Sequence, residues 1–135
     1  HRRCCARPWP VWGAAYRVEG GCSDDGFIDF RYGLVLAGRA VFERTLADPD
    51  TLADHPVVAA MADGGSPWFG FESLDSLVRD AWSRATGEDD EAYYAARERT
   101  SSVRARRAPA GAPWDRDDDA ETARRRPRLT ALFAV

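Results

Sequence analysis

Residues 20–43 restrict the possible folds of this chain more than any other stretch, because turn, cap and apolar periodicity agree there. Gly20 and Gly21 are typical of a helix end, and Ser23 is a good N-cap residue for the helix that follows. On a helix that turns by about 100° per residue, the large apolar side chains of this stretch fall on one arc. That arc contains Phe27, Phe30, Leu34, Ala37 and Val41. The pattern predicts a central buried helix over residues 24–46.

Other segments carry the same helical signal, whereas the alternation typical of strands is almost absent. Helices are predicted over residues 10–19, 72–86 and 117–133, the last interrupted at Pro127. We therefore expect an all-α fold, an irregular bundle of about five helices around the central buried helix.

The breaks between helices predict the domain organisation. Asp48-Pro49-Asp50 ends the central helix, and Asp50 or Thr51 is expected to cap the segment that follows. The length of 135 residues suits a single domain with an ordered core over residues 9–87. Residues 88–113 are acidic, then rich in Arg, Pro and Gly, which predicts a flexible linker around one helical turn. Because the chain begins with His1 and not with Met, we expect it to be a fragment.

Charge and cysteine usage restrict the classes of function. The net charge of −3 argues against nucleic-acid binding, although every Lys or Arg position is Arg. The three cysteines, Cys4, Cys5 and Cys22, form no disulfide framework and favour a cytoplasmic protein. The sequence has no zinc-ligand spacing and no apolar run of the roughly 18 residues that a membrane helix needs. We expect no cofactor, no metal and no membrane association, and the oligomeric state stays open.

Arg31 is the residue that does not fit the apolar arc, because it projects from its middle on the same line as Asp24 and Val35. A buried guanidinium must be paired and hydrogen-bonded, or the fold is destabilised. In a structural interpretation, Arg31 forms an ion pair with another segment or extends to the edge of the core. In a functional interpretation, it lines a pocket and binds an anionic ligand.

The start of the same helix, Cys22-Ser23-Asp24-Asp25, also allows two interpretations. A helix N-terminus favours the thiolate of Cys22, whereas the two aspartates oppose it. The structural interpretation is an N-cap beside a small buried thiol. The functional interpretation is a ligand site formed by Ser23, Asp24, Asp25 and Arg31. No catalytic and no metal-binding residue is predicted.

The aromatic side chains near the start and the middle of the chain are expected to lie mainly in the core, and the alternative is an exposed recognition surface. They are Trp9, Trp12, Tyr16, Trp68, Phe69 and Phe71.

Two motifs carry a resemblance to a known family: residues 12–53, WGAAYRVEGGCSDDGFIDFRYGLVLAGRAVFERTLADPDTLA, and residues 72–82, ESLDSLVRDAW. Over residues 9–87 and 113–133 the chain resembles the bacterial domain-of-unknown-function 4240 family. The resemblance implies an all-helical cytoplasmic domain, in some longer proteins fused to a WGR-type module, and no established activity. Family members usually carry further helices ahead of the first motif, so the resemblance also implies that an N-terminal part is missing.

We therefore predict a non-enzymatic interaction or regulatory module of the bacterial cytoplasm, whose partner is a protein or a fused regulatory module. The alternative is a small-ligand-binding or enzymatic domain with its site near Ser23, Asp24, Asp25 and Arg31. Geometry separates the two, because in the alternative these four residues converge on an open pocket.

Overall fold

The computed structural model describes residues 9–65, 68–101, 114–115 and 117–134. All the regular structure in these residues is helical, which confirms the all-α fold class. The α-helices are α1 (Trp9–Glu19), α2 (Asp24–Leu36), α3 (Arg39–Ala47), α4 (Pro56–Ala62), α5 (Leu74–Thr86), α6 (Asp90–Ser101), α7 (Asp119–Arg125) and α8 (Pro127–Leu132), and a 3-10 helix spans Pro49–Asp54. None of the described helices is long and apolar enough to span a membrane.

The central helix is shorter than predicted, because α2 ends at Leu36 and α3 begins at Arg39. Gly38 lies between them with a φ of 93°, a conformation that glycine adopts without a steric penalty on a Cβ. The start of α2 agrees with the prediction: the backbone N–H of Gly26 donates a hydrogen bond of 3.1 Å to the Ser23 hydroxyl. Ser23 is therefore confirmed as the N-cap.

Residue contacts divide the chain into two compact units, and the single domain stays a prediction. The smaller unit contains α5 and α6. The ring of Trp82 packs edge-on against Tyr93 with 5.6 Å between centroids, and Arg97 forms an ion pair of 2.6 Å with Asp75. Helix α6 has 12 residues where the sequence predicts one turn within a linker, and residues 102–113 of that segment lie outside the described residues.

The larger unit contains the remaining helices and the hydrophobic core. Phe27, Phe30 and Leu34 of α2 are at most 1% exposed, as the apolar arc predicts. Trp12 of α1 stacks on Phe27 with 5.0 Å between ring centroids. The other buried apolar side chains of this core are Val11, Ala14, Ala15, Val18, Leu52, Val58, Phe69 and Leu129.

Asp50 of the 3-10 helix attaches α8 to this core. Its buried carboxylate accepts hydrogen bonds from the backbone N–H groups of Leu129, at 3.0 Å, and Arg128, at 3.1 Å. The expected cap of the 3-10 helix is not Asp50 or Thr51 but Asp48, whose Oδ1 accepts a hydrogen bond of 3.1 Å from the N–H of Asp50. Asp50 caps α8 instead, because the fold places the first turn of α8 against it.

Candidate functional site

The predicted residues at the start of α2 form a helix cap. The Ser23 hydroxyl accepts the hydrogen bond from Gly26, and Asp24 and Asp25 lie exposed in the first turn, where their charge complements the helix dipole. This geometry is the one that the structural interpretation predicts. Ligand binding by the three residues stays a prediction.

Arg31 lies half-buried at the edge of the core. Its guanidinium carbon is 5.9 Å from the ring centroid of Phe27, within the range of a cation–π contact. Within the part of the chain that the structure describes, Arg31 forms no ion pair. The side chain therefore follows the structural interpretation in which it extends along the edge of the core.

Glu19, which the sequence analysis does not select, lies at the end of α1 and close to the start of α2. Burial raises the pKa of its carboxyl from 4.5 to about 7. Hydrogen bonds with the side chains of Cys22 and Trp68 oppose this rise, and the negative charge of Asp29 adds to it. Its Oε1 is buried with no hydrogen-bond partner among the described residues. Glu19 can therefore hold or release a proton near neutral pH. Its one sequence signal is its place before the Gly20-Gly21 turn.

The larger unit also contains an apolar cavity and a polar cavity, neither of which is lined by Ser23, Asp24, Asp25 or Arg31. We call the apolar one the aromatic groove, and its volume is about 210 Å³. Its lining residues are Gly33, Leu36, Ala37, His55, Val57, Trp68, Phe69, Gly70 and Phe71.

The floor of the aromatic groove is held by close packing. A Cβ on Gly33 would lie 2.0 Å from the carbonyl oxygen of Phe69, so only glycine lets α2 approach this backbone. The N–H of Phe71 donates a hydrogen bond of 3.0 Å to the carbonyl of Asp29, and the Phe69 ring packs on Phe30 with 5.0 Å between centroids. These contacts fix the Trp68–Phe71 segment along α2.

His55 forms one wall of the aromatic groove and is positioned from two sides. Its ring meets Phe69 edge-on at 5.2 Å, and its Nδ1 accepts a hydrogen bond of 3.3 Å from the N–H of Val57, which caps α4. Burial, followed by the positive charge of Arg44, lowers the pKa of His55. The imidazole is therefore neutral near physiological pH, and this wall of the groove carries no charge.

The rim of the aromatic groove consists of large apolar side chains that solvent reaches. Leu36 is 54% exposed, Trp68 45% and Phe71 37%, whereas Phe69 between the two aromatic residues is 6% exposed. The aromatic residues thus divide between the two predicted alternatives, because Trp12 and Phe69 lie in the core while Trp68 and Phe71 lie at the surface. Periodicity alone could not separate them, since residues 68–71 lie outside any helix.

The second cavity, which we call the polar cavity, has a volume of about 340 Å³. Helix α1 forms one side, and α7 with the turn before it forms the other. The lining residues are Gly13, Tyr16, Arg17, Gly20, Asp117, Asp119 and Thr122. The two groups are about a hundred residues apart in the sequence, and no local motif joins them.

The match to a protein family covers the larger part of the chain, because residues 3–84 match the family described as a protein of unknown function, DUF4240. The chain belongs to the DUF4240 family. This result confirms the predicted family, whose description assigns no activity. Neither a curated protein nor a solved structure matches the chain.

The two cavities differ in how much of their lining the DUF4240 match covers. Every residue that lines the aromatic groove lies within the matched residues 3–84. The polar cavity is completed by Asp117, Asp119 and Thr122, which lie beyond the match. The aromatic groove is therefore built from DUF4240 residues alone.

Proposed function

We propose that this DUF4240 domain is a non-enzymatic interaction and regulatory module of the bacterial cytoplasm, and that it binds a short apolar segment of a partner protein in the aromatic groove. The observation that carries the proposal is the exposure of Leu36, Trp68 and Phe71 around a tightly packed floor. Apolar side chains that remain exposed beside one another favour an interaction surface. Cysteine usage supports the cytoplasmic location.

The size and lining of the groove favour a side-chain anchor. Its volume of about 210 Å³ is smaller than the roughly 300–1,000 Å³ of typical small-molecule pockets. Its walls are apolar, and His55 beside them is neutral. One or two aliphatic or aromatic side chains of a partner suit such a groove, because buried aromatic anchors carry much of the energy of interfaces.

The charge beside the groove favours an acidic residue next to the anchor. Arg44 of α3 is exposed and close enough to His55 for its charge to lower the histidine pKa. Arg44 forms no ion pair within the described part of the chain. We therefore expect the partner segment to carry a leucine- or phenylalanine-type anchor with an Asp or Glu close to it.

A peptide-display selection against the full chain tests the proposal. Enriched peptides should combine large apolar residues with an acidic residue, and they should lose about tenfold or more in affinity for Leu36→Ser. Val35→Ser is the matched control, because Val35 is 47% exposed on the same helix but does not line the groove. Equal affinity for both variants, or self-association through the groove with no peptide enriched, would contradict the proposal.

The alternative, a ligand-binding or enzymatic site near Ser23, Asp24, Asp25 and Arg31, has one supporting observation. The Glu19 carboxyl, with a pKa of about 7, lies beside Cys22 and supplies a proton-transfer group near these residues. A thermal-shift screen of metals, anions and nucleotides tests it. The alternative predicts a stabilising compound whose effect disappears in Arg31→Met, whereas an effect that persists in that variant argues against it.

A further inference from the structure

We propose that the polar cavity binds a small zwitterion, a molecule that carries one ammonium and one carboxylate group, such as a free α-amino acid. The proposal is independent of peptide binding, because the polar cavity and the aromatic groove have no lining residue in common.

The side of the polar cavity that α1 forms follows from one face of that helix. Gly13, Tyr16 and Arg17 lie on this face by their i, i+3 and i+4 spacing, and Gly20 directly follows the end of the helix. The Trp114 ring packs directly on Gly13, where a Cβ would come within 2.2 Å of a ring carbon. The volume of about 340 Å³ lies within the range of small-molecule sites.

Arg17 supplies the positive charge of the cavity. Its Nη2 donates hydrogen bonds to the backbone carbonyls of Phe133, at 3.3 Å, and Thr130, at 3.5 Å, which fixes the guanidinium against the end of α8. Among the described residues Arg17 forms no ion pair, and its Nε is buried without a hydrogen-bond partner. A carboxylate of a ligand would neutralise the charge of this guanidinium.

Asp117 and Asp119 supply the negative charge. The Tyr16 hydroxyl donates a hydrogen bond of 2.8 Å to Asp117 Oδ1 and so fixes this carboxylate at the wall of the cavity. Among the described residues, neither aspartate forms an ion pair with Arg17. Opposite charges therefore line one cavity without neutralising each other. A ligand that carries both signs complements this arrangement better than a simple anion or cation does.

Thr122 of α7 contributes to the wall of the cavity and is 7% exposed. Its hydroxyl is buried away from solvent and has no partner in the described part of the chain. Thr122 therefore shapes the wall, and the charged side chains of Arg17, Asp117 and Asp119 are the groups that would bind the ligand.

Calorimetric titration of the full chain with each common α-amino acid tests the assignment, with acetate and ethylamine as the two halves of the ligand. At least one amino acid should bind, and each half should bind about tenfold or more weakly. The absence of binding by every amino acid, or equal binding by one half, would overturn the proposal.

Variants locate the binding. Asp117→Asn keeps the acceptor for Tyr16 but removes the charge, and it should weaken amino-acid binding by about tenfold. Asp63→Asn, an exposed carboxylate outside the cavity, is the matched control, and equal binding by Asp117→Asn and Asp63→Asn would overturn the assignment. Leu36→Ser should leave amino-acid binding unchanged, so failure of this proposal is distinct from failure of peptide binding.

Discussion

Asp50 Oδ1 accepts a hydrogen bond of 3.0 Å from the backbone N–H of Leu129, and both residues are buried. Oδ2 of the same carboxylate accepts one from Arg128. One side chain of the 3-10 helix therefore satisfies two N–H groups at the start of α8, which α8 itself cannot satisfy. This contact holds the last helix of the chain on the core.

Asp50→Ala should lower the free energy of unfolding by about 2–4 kcal/mol, because it leaves two N–H groups without partners in a buried place. Urea denaturation followed by circular dichroism measures the change. Asp63→Ala, at an exposed position, should change it by less than about 0.5 kcal/mol. Similar values for the two variants would show that the Asp50 carboxylate does not hold α8.

Gly33→Ala should destabilise the larger unit by about 2 kcal/mol or more, because the added methyl group would meet the Phe69 carbonyl at 2.0 Å. Gly26→Ala on the same helix is the control. A Cβ there meets its neighbours at 3.4 Å or more, so the variant should stabilise the protein by about 0.5–1 kcal/mol. Thermal and urea unfolding of the two variants should move in opposite directions, and a stable Gly33→Ala would contradict the close packing under the groove.

Glu19 should make stability fall as the pH rises. Its folded-state pKa of about 7 exceeds its ordinary value of 4.5, so the folded state holds the proton more tightly. The stabilisation is complete below pH 4.5 and is lost as the pH rises to about 7. Across this interval the free energy of unfolding should fall by an amount on the order of 1–3 kcal/mol. Glu19→Gln should abolish this fall, whereas Glu43→Gln, at an exposed position, should keep it. Measurements of the free energy of unfolding at several pH values test this prediction. If the pH dependence of Glu19→Gln equals that of the unmodified protein, Glu19 is not the group responsible.

Arg31→Met should lower the free energy of unfolding by no more than about 1 kcal/mol. The methionine keeps the apolar contact with Phe27 and loses only the cation–π interaction. Loss of one partner of a buried ion pair would cost about 3–5 kcal/mol. Urea denaturation separates these values. A loss in the higher range would mean that Arg31 has a structural role beyond its contact with Phe27.

The sequence was sufficient for the features that local patterns encode. Ser23 is the N-cap of α2, α5 ends at Thr86 as predicted, and Phe27 and Phe30 are buried. Each depends on residues within a few positions along one helix, which is the range over which periodicity and capping act. The break at Gly38 shows the limit of such patterns, because the apolar arc continues across the turn.

The two cavities depend on contacts that no local pattern contains. Leu36 meets Trp68 and Phe71 only because Gly33 lets the later segment pack on α2. Thr122 and Arg17 line one cavity only because the fold brings α7 near α1. Asp50 shows the same dependence on the fold. The local sequence predicts that it caps the segment it belongs to, whereas in the structure it caps α8.

Binding of a partner's apolar segment in the aromatic groove can be observed residue by residue. Two-dimensional NMR of the labelled full chain, titrated with a display-selected peptide, tests it most directly. We expect the largest shifts at the Trp68 indole N–H and at the backbone amides of Leu36 and Phe71, and we expect Leu36→Ser to remove them. Shifts that cluster at Ser23 and Asp24, or shifts that persist in Leu36→Ser, would contradict it.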